Sequence, residues 1–84
     1  MKNKVLVELV VPDIDEIYNV YLPINRRIGN IVELLKKAIY ELTNGVYNEN
    51  TNCSLYNVET GEKYTINSLL RDTNIRNGSR VVLL

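Results

Sequence analysis

Ser68-Leu69-Leu70-Arg71-Asp72-Thr73-Asn74-Ile75-Arg76-Asn77-Gly78-Ser79-Arg80-Val81-Val82-Leu83 is the stretch whose reading decides the fold. Asn67-Ser68-Leu69-Leu70 reads as a single helical turn opened by a polar capping residue. Asn77-Gly78 marks a tight turn, because glycine accepts a positive φ without steric cost. The turn feeds an apolar strand, residues 80–84, in which Val81 and Leu83 share one face and Val82 and Leu84 the other.

An apolar strand this short needs partners, and the other end of the chain offers them. In residues 4–11 Val5, Val7, Leu9 and Val11 alternate with Lys4, Leu6, Glu8 and Val10, and the charges mark the second set as the outer face. Pro12-Asp13-Ile14-Asp15-Glu16 interrupts the run with a residue that cannot donate to a ladder and with turn-favouring aspartates. Tyr18, Val20 and Leu22 then alternate against Asn19 and Tyr21 up to Pro23, which predicts an antiparallel hairpin.

From Ile28 the period becomes helical. Ile28, Ile31, Leu35, Ala38, Ile39 and Leu42 fall in one stripe, with Glu33, Lys36, Lys37 and Tyr40 opposite. Glu33 and Lys37 stand at the favourable i, i+4 spacing. Gly45 lies where a helix terminator belongs, so the helix is expected over about 28–43. Its start is less well specified: either Asn25 caps it, or Arg26 and Arg27 serve something else, since positive charge opposes the helix dipole there. Residues 46–52 are polar and turn-rich and read as a surface loop. Residues 53–58 form a short alternating strand with Cys53 and Leu55 inward and Ser54 and Tyr56 outward; a turn at Gly61 leads to a brief return strand at 63–65.

Composition removes many functions. The chain has 84 residues, which suits one domain, 1–84, that buries about 60–65% of its unfolded surface. Hydrophobic residues are 45% and charged residues 24%, ordinary for a folded globular chain. Ten basic and ten acidic side chains give a net charge of zero, so the long-range field expected of a nucleic-acid binder is missing. With no His and one Cys, a zinc site, a Cys/His nucleophile pair and a disulfide framework are all excluded. Asp13, Asp15 and Glu16 crowd one loop, but no apolar pocket is foreseeable to separate their pKa values, and the twelve-residue calcium loop is absent. The expectation is no enzyme, no cofactor and no metal. Met1-Lys2-Asn3-Lys4 leads into no signal-peptide pattern, and nothing approaches the roughly 20 apolar residues of a membrane span. A cytoplasmic protein is expected, without nucleic-acid binding or membrane insertion.

The order strand, strand, helix, strand, short strand, helical turn, strand resembles the ubiquitin-like β-grasp over nearly the whole chain. The resemblance implies an α+β fold with a mixed four- to five-stranded sheet (β-β-α-β-β-β), in which the first and last strands pair in parallel at the centre. Parallel pairing requires a long crossover, and the intervening helix covers one face. Within that superfamily the chain is similar to the small YukD- and EsaB-type ubiquitin-like proteins of bacterial type VII secretion systems. The likeness lies in Tyr18-Asn19-Val20-Tyr21-Leu22-Pro23, in residues 28–35 and in Asn77-Gly78-Ser79-Arg80. The chain departs from ubiquitin at its end: Val82-Leu83-Leu84 stands where conjugated or sulfur-carrying members have a diglycine tail. A non-covalent protein-interaction module, an accessory component of a type VII secretion system, is therefore expected. The alternatives are a processed modifier or sulfur carrier, and an RNA-binding β-grasp domain.

The candidate binding surface follows from alternation. Val82 and Leu84 emerge on the outer sheet face with Leu6 and Val10, and Tyr56 joins them from the third strand. The resemblance places Tyr56 close to the centre of ubiquitin's partner-binding patch. Glu8, Arg80 and Tyr21 border this group. Five neighbouring apolar side chains would make a patch of a few hundred Å², a size that monomers seldom leave without a use. The expected partner is a secretion-system protein or a second copy of the chain. The competing reading is that outward apolar residues merely reflect strand propensity. Arg26, Arg27, Lys36 and Lys37 form a basic cluster, read either as a contact for an acidic segment or as a solvated surface. Cys53 reads as a small buried thiol. Among the six Tyr, which stand beside no Phe and no Trp, Tyr18 is expected in the core and Tyr21, Tyr40 and Tyr47 at the surface.

Overall fold

The computed structural model describes residues 3–84; Met1 and Lys2, which open the expected domain, lie outside the described residues. The hairpin forms as the alternation requires. Strands β1 (Lys4–Val11) and β2 (Glu16–Pro23) pair antiparallel without interruption, from Lys4 opposite Pro23 to Val11 opposite Glu16. Pro12–Ile14 make one 3-10 turn between them, and Asp15 takes a left-handed conformation (φ 53°) that its short polar side chain tolerates. Strand β4 (Arg80–Leu83) lies parallel to β1, and β3 (Leu55–Asn57) pairs antiparallel with β4. The sheet order is β2-β1-β4-β3. The return strand expected at 63–65 reduces to one bridge between Tyr56 and Lys63, so among the described residues the sheet has four strands.

Helix α1 (Ile28–Leu42) covers the inner face, and its buried row is Ile28, Ile31, Val32, Leu35, Lys36 and Ile39. The row keeps the three-and-four spacing but is rotated from the expected one. With Val32 and Lys36 in the row, Ala38 is turned outward and exposed, and Leu42 at the end of the helix is 66% exposed. Lys36 takes a place in the row by laying its methylene stem along apolar neighbours, while its Nζ reaches Glu33 Oε2 at 3.3 Å. Glu33 thus pairs with Lys36 rather than with Lys37.

No side chain caps the start of α1. Two backbone carbonyls from a distant loop do so instead: Ile28 N–H donates to Ser68 O (2.8 Å) and Gly29 N–H to Ile66 O (2.9 Å). A Cβ on Gly29 would stand 3.2 Å from Ile66 O, so glycine is what permits this approach. Asn25 is not a cap; its Oδ1 accepts from the Arg71 guanidinium at 3.1 Å. Arg27 donates to the Asn67 carbonyl, and Arg26 O accepts from Leu70 N–H at 2.9 Å. At the other end Gly45 (φ 85°) returns its N–H to Tyr40 O at 2.8 Å, as a terminating glycine should.

The core joins Val7, Leu9 and Val11 of β1 and Val81 and Leu83 of β4 to the helix row, with Leu70 and Ile75 entering from the long connection. The helical turn expected at 67–70 lies slightly later, as a 3-10 turn at Leu70–Asp72. The loop 46–52 is at the surface except for Tyr47, which is 2% exposed.

Candidate protein-binding face

Strand pairing arranges the outward side chains in rows. Ile17, Val10, Val82 and Tyr56 lie side by side across all four strands, because Val10 stands opposite both Ile17 and Val82, and Val82 opposite Tyr56. The next row is polar: Asn19, Glu8 and Arg80, with Arg80 Nε 3.2 Å from Glu8 Oε1. Beyond it Leu6 faces Tyr21. The expected group of seven is thereby divided. Val10, Tyr56, Val82 and Leu84 come together, whereas Leu6 and Tyr21 form a separate pair across the polar row, and Arg80 stands on that divide.

The first group lines an open concavity of about 440 Å³, completed by Val58 and by the backbone at Gly61. Leu84 is held there by its backbone, which exchanges two hydrogen bonds with Ser54 (2.9 and 3.0 Å). The far wall is the turn after β3, which Asn57 organises. Its Oδ1 accepts from Glu59 N–H (2.8 Å) and Thr60 N–H (3.1 Å), and its Nδ2 donates to the Tyr64 hydroxyl (3.1 Å). The Tyr64 hydroxyl in turn donates to Asn74 Oδ1 at 2.7 Å. Gly61 at φ 76° closes the turn with its N–H on Asn57 O (2.8 Å). The wall of the concavity is therefore fixed from behind by a chain of hydrogen bonds. Burial pushes the Tyr64 hydroxyl above its ordinary pKa, which keeps it a donor.

Sequence alternation missed two members of this surface. Val58 is 40% exposed and continues the Tyr56 parity just beyond the strand; Ile17 is 60% exposed and shares its face with Asn19 and Tyr21. Both lie within the expected strands, where period two already puts Val58 with Tyr56 and Ile17 with Asn19 and Tyr21.

The remaining candidates disperse. In the basic cluster, Arg27 and Lys36 are engaged as described, while Arg26 and Lys37 share a polar depression with Glu33 and Glu49. Tyr47 is not at the surface: its hydroxyl lies 3.1 Å from Cys53 Sγ, and burial, then this contact, raise its pKa far above the usual value. Cys53 is half-buried and packs against the core. Tyr18 also packs against the core, and Tyr21 and Tyr40 are exposed. Among the described residues no three His, Cys, Asp or Glu side chains gather as a metal site would require, and no helix is long and apolar enough to cross a membrane.

Neither a protein-family model nor a curated protein sequence matches the chain. Solved structures do. The ubiquitin-like domain of the type VII secretion protein EccD1 from Mycobacterium tuberculosis superposes with a TM-score of 0.73 at 10% identity, covering 96% of this chain and 97% of that one. The EccD5 ubiquitin-like domain from Mycobacterium xenopi gives 0.78 at 18% identity, covering 96% and 92%. A chain of the ESX-5 inner membrane complex gives 0.80 at 17% identity; 98% of this chain matches, but it spans only 21% of that larger one. The fold is the ubiquitin-like β-grasp, and it is the fold of the ubiquitin-like domains found in type VII secretion EccD proteins.

Proposed function

We propose that this chain is a non-enzymatic, non-conjugated interaction module of the cytoplasm that serves a bacterial type VII secretion system by binding one of its protein components. The observation that carries the reading is the apolar concavity on the outer face, where Val10, Tyr56, Val58, Val82 and Leu84 stand together beside an ion-paired rim. An aromatic anchor in an apolar recess with polar groups at its border has the anatomy of an interface centre. The likeness to EccD ubiquitin-like domains supports the choice of system.

The test is capture from the native host with wild-type protein and with Tyr56→Ala/Val82→Ser. Wild type is expected to retain an ATPase or membrane component of the secretion apparatus, and the double variant to lose about tenfold or more in affinity, the usual consequence of truncating a buried aromatic anchor. Capture that is indifferent to the double substitution would place the contact elsewhere. Retention of an activating enzyme instead would replace the reading with a covalent one.

A further inference from the structure

The sheet has one long edge that no described residue covers. Strand β2 pairs only with β1, so its other side is open over eight residues. Which backbone groups point into that opening follows from the bonds of β1. Leu6 O accepts from Gly78 N–H (2.8 Å), Leu6 N–H donates to Asn77 Oδ1 (2.8 Å), and Glu8 N–H donates to Ser79 O (2.9 Å). The even residues of β1 therefore face away from β2, and its odd residues bond to Leu22, Val20 and Tyr18. The bond from Ile24 N–H to Asn3 O (3.0 Å) continues the same parity beyond the strand. On β2 it is thus Ile17, Asn19 and Tyr21 that direct N–H and C=O outward, and Pro23, which has no N–H, falls on that side too.

Natural edges are normally blunted by lysine, proline or a bulge. This one has none of the three before Pro23: residues 17–22 carry no charge, and the eight pairs with β1 run in unbroken register. Ile17 and Tyr21 are 60% and 54% exposed on the outer face, while Tyr18 and Val20 are only half-buried on the inner one. An edge apolar on both faces is expected to be covered.

We propose that a second copy of this chain covers it, with β2 pairing antiparallel to β2 about a two-fold axis at Asn19. The strand is complementary to itself in that register. Asn19 meets Asn19 of the partner subunit, and Ile17 meets Tyr21 of the partner subunit, so every outward-bonding residue faces another; each of the three pairs exchanges two bonds. A shift of one residue sets bonding positions against non-bonding ones. A shift of two brings Pro23 or the left-handed Asp15 into the ladder and loses bonds. On the outer face the proposed register joins aromatic to β-branched side chains, and on the inner face Tyr18 meets Val20 of the partner subunit. Zero net charge leaves no repulsion between copies. The axis is perpendicular to the sheet, so the dimer is one eight-stranded sheet with both concavities on the same surface.

Sedimentation equilibrium of the whole chain tests this. Wild type is expected to sediment as a dimer. Asn19→Lys and Asn19→Asp each set like charges face to face on the axis and should weaken association by more than about tenfold, while an equimolar mixture of the two recovers the dimer mass. Asn19 is exposed on the outer face and its side chain makes no hydrogen bond among the described residues, so both variants should keep the fold, checked by amide chemical-shift dispersion. A wild-type chain that stays monomeric at near-millimolar concentration overturns the proposal. So does a dimer that survives both substitutions, or one abolished by Tyr56→Ala alone.

Discussion

The two ends of the sheet are held by different means. At the β2 end, eight residue pairs in unbroken register join β1 to β2, and a single 3-10 turn connects them. At the β3 end only three pairs join β3 to β4, and the loops before and after β3 are fixed by bonds between loops and by the hydroxyls of Tyr47 and Tyr64. The first end is built by period-two alternation, which any regular ladder shares. The second depends on particular side chains, and it is the end that shapes the concavity. The regular part of this fold thus supplies the frame and the floor of the concavity, and the irregular part supplies its wall.

The sharpest test of that contrast is whether the loop end is as intolerant of truncation as the ladder. Leu70 sits in a 3-10 turn rather than a strand, yet it is fully buried, as is Leu9 at the centre of β1. Leu70→Ala and Leu9→Ala should each cost about 3 kcal/mol, from the lost transfer free energy and the cavity left behind. Urea denaturation measures both. If Leu70→Ala costs less than about 1 kcal/mol, the connection is loosely attached and the comparison fails.

The polar part of the loop end should show a smaller effect with a pH signature. Tyr64→Phe leaves Asn74 Oδ1 without its donor and Asn57 Nδ2 without its acceptor, and should cost about 1–2 kcal/mol. Burial raises the pKa of Tyr64 from 10.0, and raises Tyr47 as well. A folded-state pKa above the unfolded one means that the native state holds its proton more firmly. The stability is therefore fully present below pH 10 and is lost as pH rises beyond it. Wild type should lose stability above that value more steeply than Tyr47→Phe/Tyr64→Phe, in denaturant titrations at successive alkaline pH values. Equal slopes would mean that these hydroxyls ionise in the native state as easily as in the unfolded one.

The same contrast explains what could be read from the sequence. The hairpin, the helix and the β4 strand were legible because one face of each is buried, so that a period is written in the residues. The Val10, Val82 and Tyr56 row followed from that period alone. Tyr47 was not legible: Val46 is 76% exposed and Tyr47 2%, an inversion set by an irregular loop in which Tyr47 N–H donates to Thr43 Oγ1 (3.0 Å) and its hydroxyl meets Cys53. The partners are near in sequence, but such a loop has no period from which to read the inward residue. Lys36 breaks the rule that charge marks solvent, because its stem is long enough to lie in the apolar row. The helix start was obscure because its caps are carbonyls of Ile66 and Ser68, which any residue would supply. The concavity was half legible: its floor is alternation, but its wall is the Asn57 network.

Between the two ends lies the Glu8–Arg80 pair, which bridges β1 and β4 and separates the concavity from Leu6 and Tyr21. It belongs to the ladder by position and to the site by chemistry, so its energetics decide which description suits it. Both side chains reach water, 54% exposed for Arg80 and 33% for Glu8, and a pair so placed is screened by salt and loses rotamer entropy. Arg80→Ala should therefore change stability by no more than about 0.5 kcal/mol, and that change should shrink further in high salt. Partner capture should respond differently, because a charge at the border of an apolar recess steers encounter. The expected outcome is an unchanged denaturation midpoint together with a slower, less salt-dependent association rate in surface plasmon resonance. A midpoint shift comparable to that of Tyr64→Phe would assign the pair to the frame instead.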